Sequence, residues 1–532
     1  MISRSRLMAT AIGISLLQSA LPACAATFNV TRFDDPVPNG CLVNDCSLRE
    51  AVIAANTLVG ADNVVLGLGT YMLTQSAALI DAERDDLDVT GPLSITGLGS
   101  TQTLIRTTIP GASLERRIFQ VTNAPLTLAQ LSLRDGNVQA SGAVGEGGCV
   151  LANSSRLILS DVRISNCRAT IGGAISIRSG VGQFNKVDIG TSQASNGGGI
   201  AARGTTLRGA EIVLANNSAD VGGGIWFGPD GGVAITRLEW ATGSQIAGND
   251  ARHEGGGVAV AQGAKLMFAP ASTTATLDAL LLLRGNTAAD GGGGIYVDST
   301  SVLEAARLAL HQNATEQDGG GLYALGALTL SDSEFVDNAA LVDGGGLAMR
   351  GNAFNSRVER SSFAYNTAGR YGGAVSNSVD AFSLRNVSSY ANQAIAGGAV
   401  DVAANNIRIL HLTSFDDIGG SAGSLRLVGN AFVQNSVLSN GCAAFGGGIV
   451  DLGGNAQVFG MPSCAGASFS AAQIGLAHAY AGGRFNVVTI AAATSVLRDL
   501  ASASPLTPVD VRGWLRSGWL VDTGAFEYAA LP

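Results

Sequence analysis

The residues best placed for chemistry are four carboxylates that recur with the spacing of a repeat. A glycine cluster followed by an aliphatic residue recurs along the chain, and Glu254, Asp318 and Asp343 each lie four residues before that aliphatic residue. Asp290 lies one residue further away, because its cluster has one more glycine. If the repeats stack in register, the carboxylates line one edge about 5 Å apart, where like charges repel by about 1 kcal/mol in water. Carboxylate oxygens suit Ca²⁺, so the pattern predicts a Ca²⁺-binding stripe, with solvated turn residues as the alternative.

Three aromatic residues share a second position in the same repeat. Trp226, Tyr296 and Tyr323 each follow the aliphatic residue directly. Neighbouring residues of a strand point to opposite faces, so these rings are expected to point outward and to form an exposed track. Aromatic faces suit sugar rings, which predicts glycan binding. Ordinary packing on the surface of a strand is the alternative.

Other catalytic patterns are missing from the sequence. It has no Ser-His-Asp order, no phosphate-binding lysine loop and no H-E-x-x-H helix. Cleavage of a glycoside needs two carboxylates facing one groove, and no irregular acidic cluster suggests such a pair. The sequence therefore assigns no catalytic residue. The four histidines lie far apart: His253, His311, His411 and His478.

The elements that must position these residues are the short strands of the repeat. Runs such as Leu328-Thr329-Leu330 are too short to bury a face alone, but stacked copies bury a continuous core. An Asn recurs nine residues before the aliphatic position and is expected to form a hydrogen-bonded ladder through the stack. The pattern predicts an all-β right-handed parallel β-helix. Leucine-rich repeats fit less well, because their L-x-x-L-x-L pattern is missing.

The marker residues of this repeat are as follows. The aliphatic positions are Val150, Ile175, Ile200, Ile225, Val258, Ile295, Leu322, Leu347, Val375, Val400 and Ile449. The predicted ladder positions are Asn166, Asn216, Asn249, Asn286, Asn313, Asn338, Asn366 and Asn440.

The first residues and the cysteines indicate export. Arg4 and Arg6 precede the apolar run 7–17 and an Ala-Cys-Ala cleavage pattern, which predicts a cleaved signal peptide over residues 1–26. Lipidation of Cys24 is the alternative form of processing. Six cysteines remain after cleavage, an even number that favours disulfides. The alternative is that some of them are buried free thiols. The predicted pairs join sequence neighbours: Cys41–Cys46, Cys149–Cys167 and Cys442–Cys464.

Charge and hydropathy argue against nucleic-acid binding and against a transmembrane helix after the first residues. Without Arg4 and Arg6 the chain has 30 basic residues against 41 acidic ones, a net charge of about −11. Nucleic-acid binding depends on a basic surface, so nucleic acid is not an expected partner. No later segment is apolar over the length that a transmembrane helix needs.

Four stretches, of three kinds, resemble segments of exported bacterial β-helix proteins. Residues 46–51 resemble a CSLREA-type N-terminal segment, residues 335–347 and 363–375 are similar to repeats of polymorphic outer-membrane proteins, and residues 510–527 look like a choice-of-anchor Q segment. The resemblance implies a pectate-lyase-like solenoid. Ser47 and Glu50 also form an S-x-x-E capping box, which predicts a short helix that closes the first end of the stack. The region after Cys464 is expected to close the other end.

We therefore expect four regions: a signal peptide (1–26), an N-terminal cap (27–80), the β-helix repeats (81–464) and a C-terminal cap or anchor-like segment (465–532). The expected function is adhesin-like binding of an extracellular glycan or protein, outside the cell or at its surface, with association with an outer membrane as one route of display. We expect this function to require no cofactor, and Ca²⁺ is the one candidate for a bound ion. A polysaccharide lyase or glycoside hydrolase of the same fold is the alternative.

Overall fold

Successive turns of the chain stack in parallel and contribute strands to three long sheets. A computed structural model of the protein describes residues 25–75, 86–107, 116–138, 145–229, 235–240, 243–268, 280–458, 466–502, 507–516 and 521–528. The aliphatic marker residues pair in register, Ile175 with Ile200, Ile200 with Ile225 and Ile225 with Val258. The predicted all-β right-handed parallel β-helix is confirmed. The predicted signal peptide lies almost entirely outside the described residues.

The strands of the three sheets are named here in chain order. Sheet A contains Thr27–Asn29, Asp62–Val65, Gly69–Met72, Leu93–Thr96, Thr103–Arg106, Pro125–Arg134, Arg156–Ser165, Val181–Gly190, Thr206–Ala215, Ile235–Trp240, Gln245–Ala247, Lys265–Phe268, Leu281–Arg284, Val302–Ala306, Leu308–His311, Ala327–Ser331, Glu334–Val336, Arg357–Ala364, Ser383–Tyr390, Ile407–Phe415, Ala431–Gln434, Val437–Leu438, Ile449–Asp451, Ala456–Val458 and Ala467–Phe469. Sheet B contains Leu87–Val89, Phe119–Thr122, Val150–Asn153, Ile175–Arg178, Ile200–Arg203, Ile225–Gly228, Val258–Val260, Ile295–Val297, Leu322–Ala324, Leu347–Met349, Val375–Asn377, Val400–Val402, Leu425–Leu427 and Cys442–Ala444. Sheet C contains Asn137–Val138, Arg168–Ala169, Gln193–Asn196, Ser218–Val221, Asp250–Ala251, Thr287–Ala288, Ala314–Thr315, Ala339–Ala340 and Thr367–Ala368.

The long strands of sheet A bend around one residue with a left-handed backbone. In Arg156–Ser165 this residue is Asp161, with a φ of 52°. Leu157 and Leu159 are buried before the bend, and Val162 and Ile164 are buried after it. The bend shifts the alternation by one residue, so both halves of the strand turn their apolar side chains to the core.

A ladder of buried asparagines runs through the stack. The Asn313 side-chain amide donates to the Leu283 carbonyl and to Oδ1 of Asn338, both at 3.0 Å. Its own Oδ1 accepts the backbone and side-chain N–H groups of Asn286. Each such amide is fully hydrogen-bonded inside the core, as buried polar groups must be. Five predicted ladder residues are confirmed, namely Asn249, Asn286, Asn313, Asn338 and Asn366.

The ladder prediction was wrong at its two ends. Asn166 and Asn216 are exposed corner residues with positive φ, and the next residue in each case, Cys167 or Asn217, takes the buried position. These turns are one residue shorter, so counting nine residues back from the aliphatic position reaches the wrong side chain. Asn440 donates to a backbone carbonyl and is not a rung of the ladder. The last two rungs are Asn392 and Asp417.

The predicted short helix and the first disulfide are present near the N-terminal end of the stack. Helix α1, Leu48–Thr57, begins with the capping box of Ser47 and Glu50, and its apolar residues join the core. The predicted disulfides Cys41–Cys46 and Cys149–Cys167 are present. The third predicted pair includes Cys464, which lies outside the described residues.

The C-terminal segment, described over residues 466–502, 507–516 and 521–528, does more than cover the end of the stack. After a short helix α2, Ala471–Ile474, the chain forms an antiparallel hairpin of Leu476–Ala479 and Val487–Ile490. The segment packs on the last turns and also runs back along the outer face of sheet A, where Asn386 donates to the Val509 carbonyl. The expected end cap is thus corrected to a segment that lies mainly on the side of the rod. A 3₁₀ turn, Gly420–Ala422, is the remaining helical element among the described residues.

Candidate functional site

The predicted aromatic residues meet on the outer face of sheet B. In-register pairing aligns Trp226 with Ala259, Ala259 with Tyr296 and Tyr296 with Tyr323. The rings of Tyr296 and Tyr323 are neighbours, with centroids 5.9 Å apart. Their cluster is separate from the core inside the rod, so the predicted outward direction is confirmed.

The expected exposure of these rings is wrong for two of the three. Trp226 is 4 % exposed and Tyr296 9 % exposed, because they pack with Ala201, Ala259 and Ala261. Gly228 leaves the space that the indole ring fills. In the part of the chain that the structure describes, neither the Trp226 indole N–H nor the Tyr296 hydroxyl has a hydrogen-bond partner. Tyr323, which is half-buried, leaves more of its ring accessible to a ligand than the other two.

The acidic residues stack beside these rings in a register that differs from the predicted one. Backbone bridges join Glu254 to Gly291 and Gly291 to Asp318. Asp290 is therefore displaced from the stripe by the extra glycine, and its carboxylate contacts Nδ1 of the exposed His253 at 2.7 Å. A gap in the row of carboxylates thus separates Glu254 from Asp318.

An aromatic ring occupies this gap. The Tyr323 ring lies directly over Gly291, where any larger residue would collide with it. Glu254 and Asp318 flank the ring two turns apart, about 10 Å along the rod. We name Trp226, Glu254, Tyr296, Asp318 and Tyr323 the aromatic–acidic patch.

Burial changes the acidity of the patch. It raises the pKa of Glu254, and the nearby charge of Asp290 raises that pKa further. Burial also raises the pKa of Asp318, against the opposing effect of Arg350. Both carboxyl groups are consequently easier to protonate than free ones, and a protonated carboxyl can donate a hydrogen bond or a proton.

Asp343, the last predicted member of the stripe, has arginine partners. Arg350 bridges Asp318 and Asp343 at 3.3 and 2.9 Å, and Arg370 binds Asp343 through two nitrogens at 3.0 and 2.7 Å. Among the described residues no group of three or more His, Cys, Asp or Glu side chains is placed to hold a metal ion. Ca²⁺ binding by Glu254, Asp290, Asp318 and Asp343 stays a prediction, and the geometry shows that these four do not form one row.

Paired charges border the patch on both sides along sheet B. On one side Glu146 pairs with Arg178 and Arg203. On the other side Arg426 pairs with Asp401 and stacks on the Tyr371 ring at 4.0 Å. Each of these bordering charges thus has a partner of opposite sign.

Sheet C carries a second concave feature. A pocket of about 500 Å³ is lined by mostly polar side chains of four consecutive turns, including Thr170, Gln193, Ser218 and Asp250. Asp220 and Arg252 form an exposed ion pair at its edge. Sequence analysis did not single it out, because its residues differ in type from turn to turn.

A third feature, missed by the sequence analysis, holds the C-terminal segment. One corner residue with positive φ per turn forms what we name the corner column, consisting of Asp332, Arg360, Asn386, His411 and Asn435. His411 is fully buried and donates from Nδ1 to the Gly524 carbonyl at 2.9 Å. The signal in the sequence is a change of type at this corner from charged residues, such as Lys186 and Glu211, to Asn and His.

Comparisons with known proteins identify no family. No family model matches the chain, and no curated protein is similar to it in sequence. Among solved structures, the catalytic domain of a GH87 α-1,3-glucanase in complex with nigerose is 13 % identical, with a TM-score of 0.39 over 72 % of this chain and 69 % of that chain. The A-module of the Azotobacter vinelandii mannuronan C-5 epimerase AlgE6 is 12 % identical, with a TM-score of 0.30 over 82 % of this chain and 99 % of that chain. Both TM-scores are low, so neither likeness assigns a function to this protein.

The described helices contain no membrane span. The longest of them, α1, has 10 residues, and none combines the length and apolarity that a bilayer crossing needs.

Proposed function

We propose that this protein is an exported β-helix protein that binds an extracellular glycan on the outer face of sheet B, in an adhesin-like role. The observation that carries the proposal is the aromatic–acidic patch, where apolar ring surface lies beside unpaired polar tips and two carboxyl groups. The disulfides Cys41–Cys46 and Cys149–Cys167 support an oxidising compartment outside the cytoplasm. The balanced charges around the patch favour a neutral glycan.

Binding is tested with the purified mature protein. A glycan array identifies ligands, and calorimetry then compares the wild type with Tyr323→Ala and Trp226→Phe. An aromatic contact contributes about 0.5–1.5 kcal/mol, and a hydrogen bond contributes a similar amount. Tyr323→Ala, which loses a ring, and Trp226→Phe, which loses the indole N–H, should therefore each bind roughly two- to tenfold more weakly. Trp226→Phe keeps most of the buried ring and removes the indole N–H, which separates binding from stability.

The matched control is Tyr480→Ala, because Tyr480 is 66 % exposed and lies in the C-terminal segment, away from the patch. Equal affinity of Tyr323→Ala and the wild type, with both proteins folded, would remove the patch from the binding site. An array without any glycan ligand would leave a protein ligand as the candidate.

A second candidate function is hydrolysis of the bound glycan, favoured by the pair Glu254 and Asp318. Inverting glycosidases use two carboxyl groups roughly 6.5–9.5 Å apart, close to the two-turn spacing seen here. A protonated carboxyl would give its proton to the glycosidic oxygen as the C–O bond breaks. The other would take a proton from a water whose oxygen bonds to the anomeric carbon. The raised pKa of both groups suits the acid role.

This candidate is tested by incubating the protein with a panel of neutral and acidic polysaccharides and reading the products by mass spectrometry. Glu254→Gln and Asp318→Asn should each abolish cleavage and keep glycan binding. The control Asp188→Asn, at an exposed carboxylate of sheet A, should cleave like the wild type. Polysaccharides that stay uncut across the panel would exclude hydrolysis, and the binding proposal would be unaffected. Products with an unsaturated sugar end would identify a lyase instead.

A further inference from the structure

The C-terminal segment is fastened to the corner column by direct hydrogen bonds. Asn386 donates to the Val509 carbonyl at 2.8 Å, and its Oδ1 accepts from Arg516 at 3.0 Å. Further along the rod, the Asn435 Oδ1 accepts the Ser502 backbone N–H at 2.7 Å. His411 lies between these two asparagines in the column and donates a hydrogen bond to the Gly524 carbonyl.

The hydrogen bonds around His411 require a neutral ring. A carbonyl cannot donate, so Nδ1 must carry the proton that is shared with Gly524. Nε2 then has a lone pair, and it faces the side-chain amide of Asn435 at 3.4 Å. The orientation of that amide is fixed by the bond from Ser502 to its oxygen. A second proton on the ring would place two donors, Nε2–H and the Asn435 amide, against each other.

The charges around His411 also oppose a second proton. From the C-terminal segment the facing charge is Arg516, which is paired with Glu527 at 2.9 Å. From the coils the neighbours in the column are the uncharged Asn386 and Asn435. Burial, and next the Arg516 charge, lower the pKa of His411 to about 3. No described carboxylate contacts the ring to compensate a positive charge.

We infer that His411 makes the attachment of the C-terminal segment acid-labile, so that protonation of this ring releases residues 507–516 and 521–528 from the side of the rod while the coils stay folded. The coils have their own ladder and sheet hydrogen bonds, which the release leaves intact. The inference does not depend on glycan binding, because the corner column and the aromatic–acidic patch lie on different sheets.

The sign and size of the effect follow from linkage. The released ring has an ordinary pKa of 6.5 and the attached ring one of about 3. The attachment is therefore at full strength above pH 6.5 and weakens by roughly tenfold per pH unit below it, until the pH approaches the lower value. At pH 4.5 the attachment should be on the order of 100-fold weaker than at pH 7.5.

Two other groups in the attachment titrate in acid, and they act in opposite directions. Burial raises the pKa of Glu527, so protonation of that group favours the attached state. Burial works against the charged form of Asp332, yet the hydrogen bond from Arg360 and the charge of Arg484 hold its pKa below the usual value. Asp332 therefore adds to acid release only at lower pH than His411, and a variant at position 411 separates the two.

Hydrogen–deuterium exchange by mass spectrometry tests the inference, with labelling times corrected for the intrinsic effect of pH. In the wild type, amides of residues 507–516 and 521–528 should exchange on the order of 100-fold faster at pH 4.5 than at pH 7.5, while the ladder amides of Asn313 and Asn338 stay protected. His411→Asn keeps a donor for the Gly524 carbonyl, suits the positive φ of this position and does not titrate. It should show little change over the same range. The control His253→Asn, at an exposed histidine, should behave like the wild type.

Three results would overturn the inference. One is a wild-type C-terminal segment that is equally protected at both pH values. Another is a His411→Asn variant with the same acid response as the wild type. The third is loss of protection in the ladder at the same pH as in the C-terminal segment, which would indicate global unfolding. If His411→Asn fails to attach at pH 7.5, His411→Gln, whose longer amide reaches the same carbonyl, takes its place.

Discussion

The last rung of the asparagine ladder is an aspartate, and replacing it should stabilise the protein at neutral pH. Asp417 is fully buried, and its Oδ1 accepts the backbone and side-chain N–H groups of Asn392 at 2.9 and 2.8 Å. Its Oδ2 accepts from Ser414 at 2.6 Å. In Asp417→Asn the remaining oxygen can keep both bonds from Asn392, and the new amide can donate to the Ser414 hydroxyl, which can rotate.

The magnitude follows from the charge that the folded protein must bury. Burial raises the pKa of Asp417 from 3.8 to about 6. A folded-state pKa above the unfolded one means that stability is fully present below pH 3.8 and is lost as the pH rises through 6. The difference corresponds to about 3 kcal/mol at neutral pH, as an upper estimate. The variant has no carboxylate to bury and should recover much of that free energy above pH 6.

Urea denaturation followed by circular dichroism at pH 4 and pH 8 measures this prediction. We expect Asp417→Asn to be more stable than the wild type by about 1–3 kcal/mol at pH 8, with the difference falling towards zero at pH 4. Asp290→Asn, at an exposed carboxylate paired with an exposed histidine, is the control and should shift little. Equal stability at pH 8, or a gain of the same size at both pH values, would show that the buried charge of Asp417 is not the cause.

Three further predictions concern the solenoid itself. Asn313→Ala should lower the free energy of unfolding by about 3 kcal/mol or more, because it leaves buried partners on two neighbouring turns without bonds; denaturation of the variant measures it. Gly344→Ala should destabilise the protein far more than Gly285→Ala in thermal melts, although both positions have a φ above 60°, because only at Gly344 would the new methyl group collide with a backbone carbonyl. Replacing Cys149 and Cys167 together by Ala should lower the free energy of unfolding by about 3 kcal/mol. Reduction should remove the contribution of this disulfide from the wild type, whereas the variant has no such contribution to lose.

Sequence periodicity predicted the parts of the fold that repeat with constant chemistry. The aliphatic residues from Val150 to Val400 fill the same interior position in every turn, so their spacing gave the register of sheet B, for example Ile295 with Leu322. Ile449 is the exception and begins a strand of sheet A. The capping box of α1 was also predictable, since Ser47 and Glu50 bond within four residues of each other. Both features depend on local or strictly periodic interactions.

The errors arose where one turn is a residue longer or shorter than its neighbours. Asn217 was missed in favour of Asn216, and Asp290 was placed in a row where Gly291 lies. A change of one residue at a corner moves a side chain from the interior to the solvent. The residue types did not reveal it, because Asn is suited both to a left-handed corner and to a buried ladder.

The corner column shows why the remaining features could not be found in this way. In earlier turns the equivalent corner residues include the charged Asp161, Lys186 and Glu211, and Lys186 pairs with Asp161 at the surface. Further along they become Asn386, His411 and Asn435, which are buried under a segment more than 60 residues away in the chain. Nothing in the repeat requires this change, since every residue type at the corner adopts the same backbone. What distinguishes one turn from the next is therefore the part of the molecule that covers it, and departures from the repeat locate contact surfaces while agreement with the repeat locates the core.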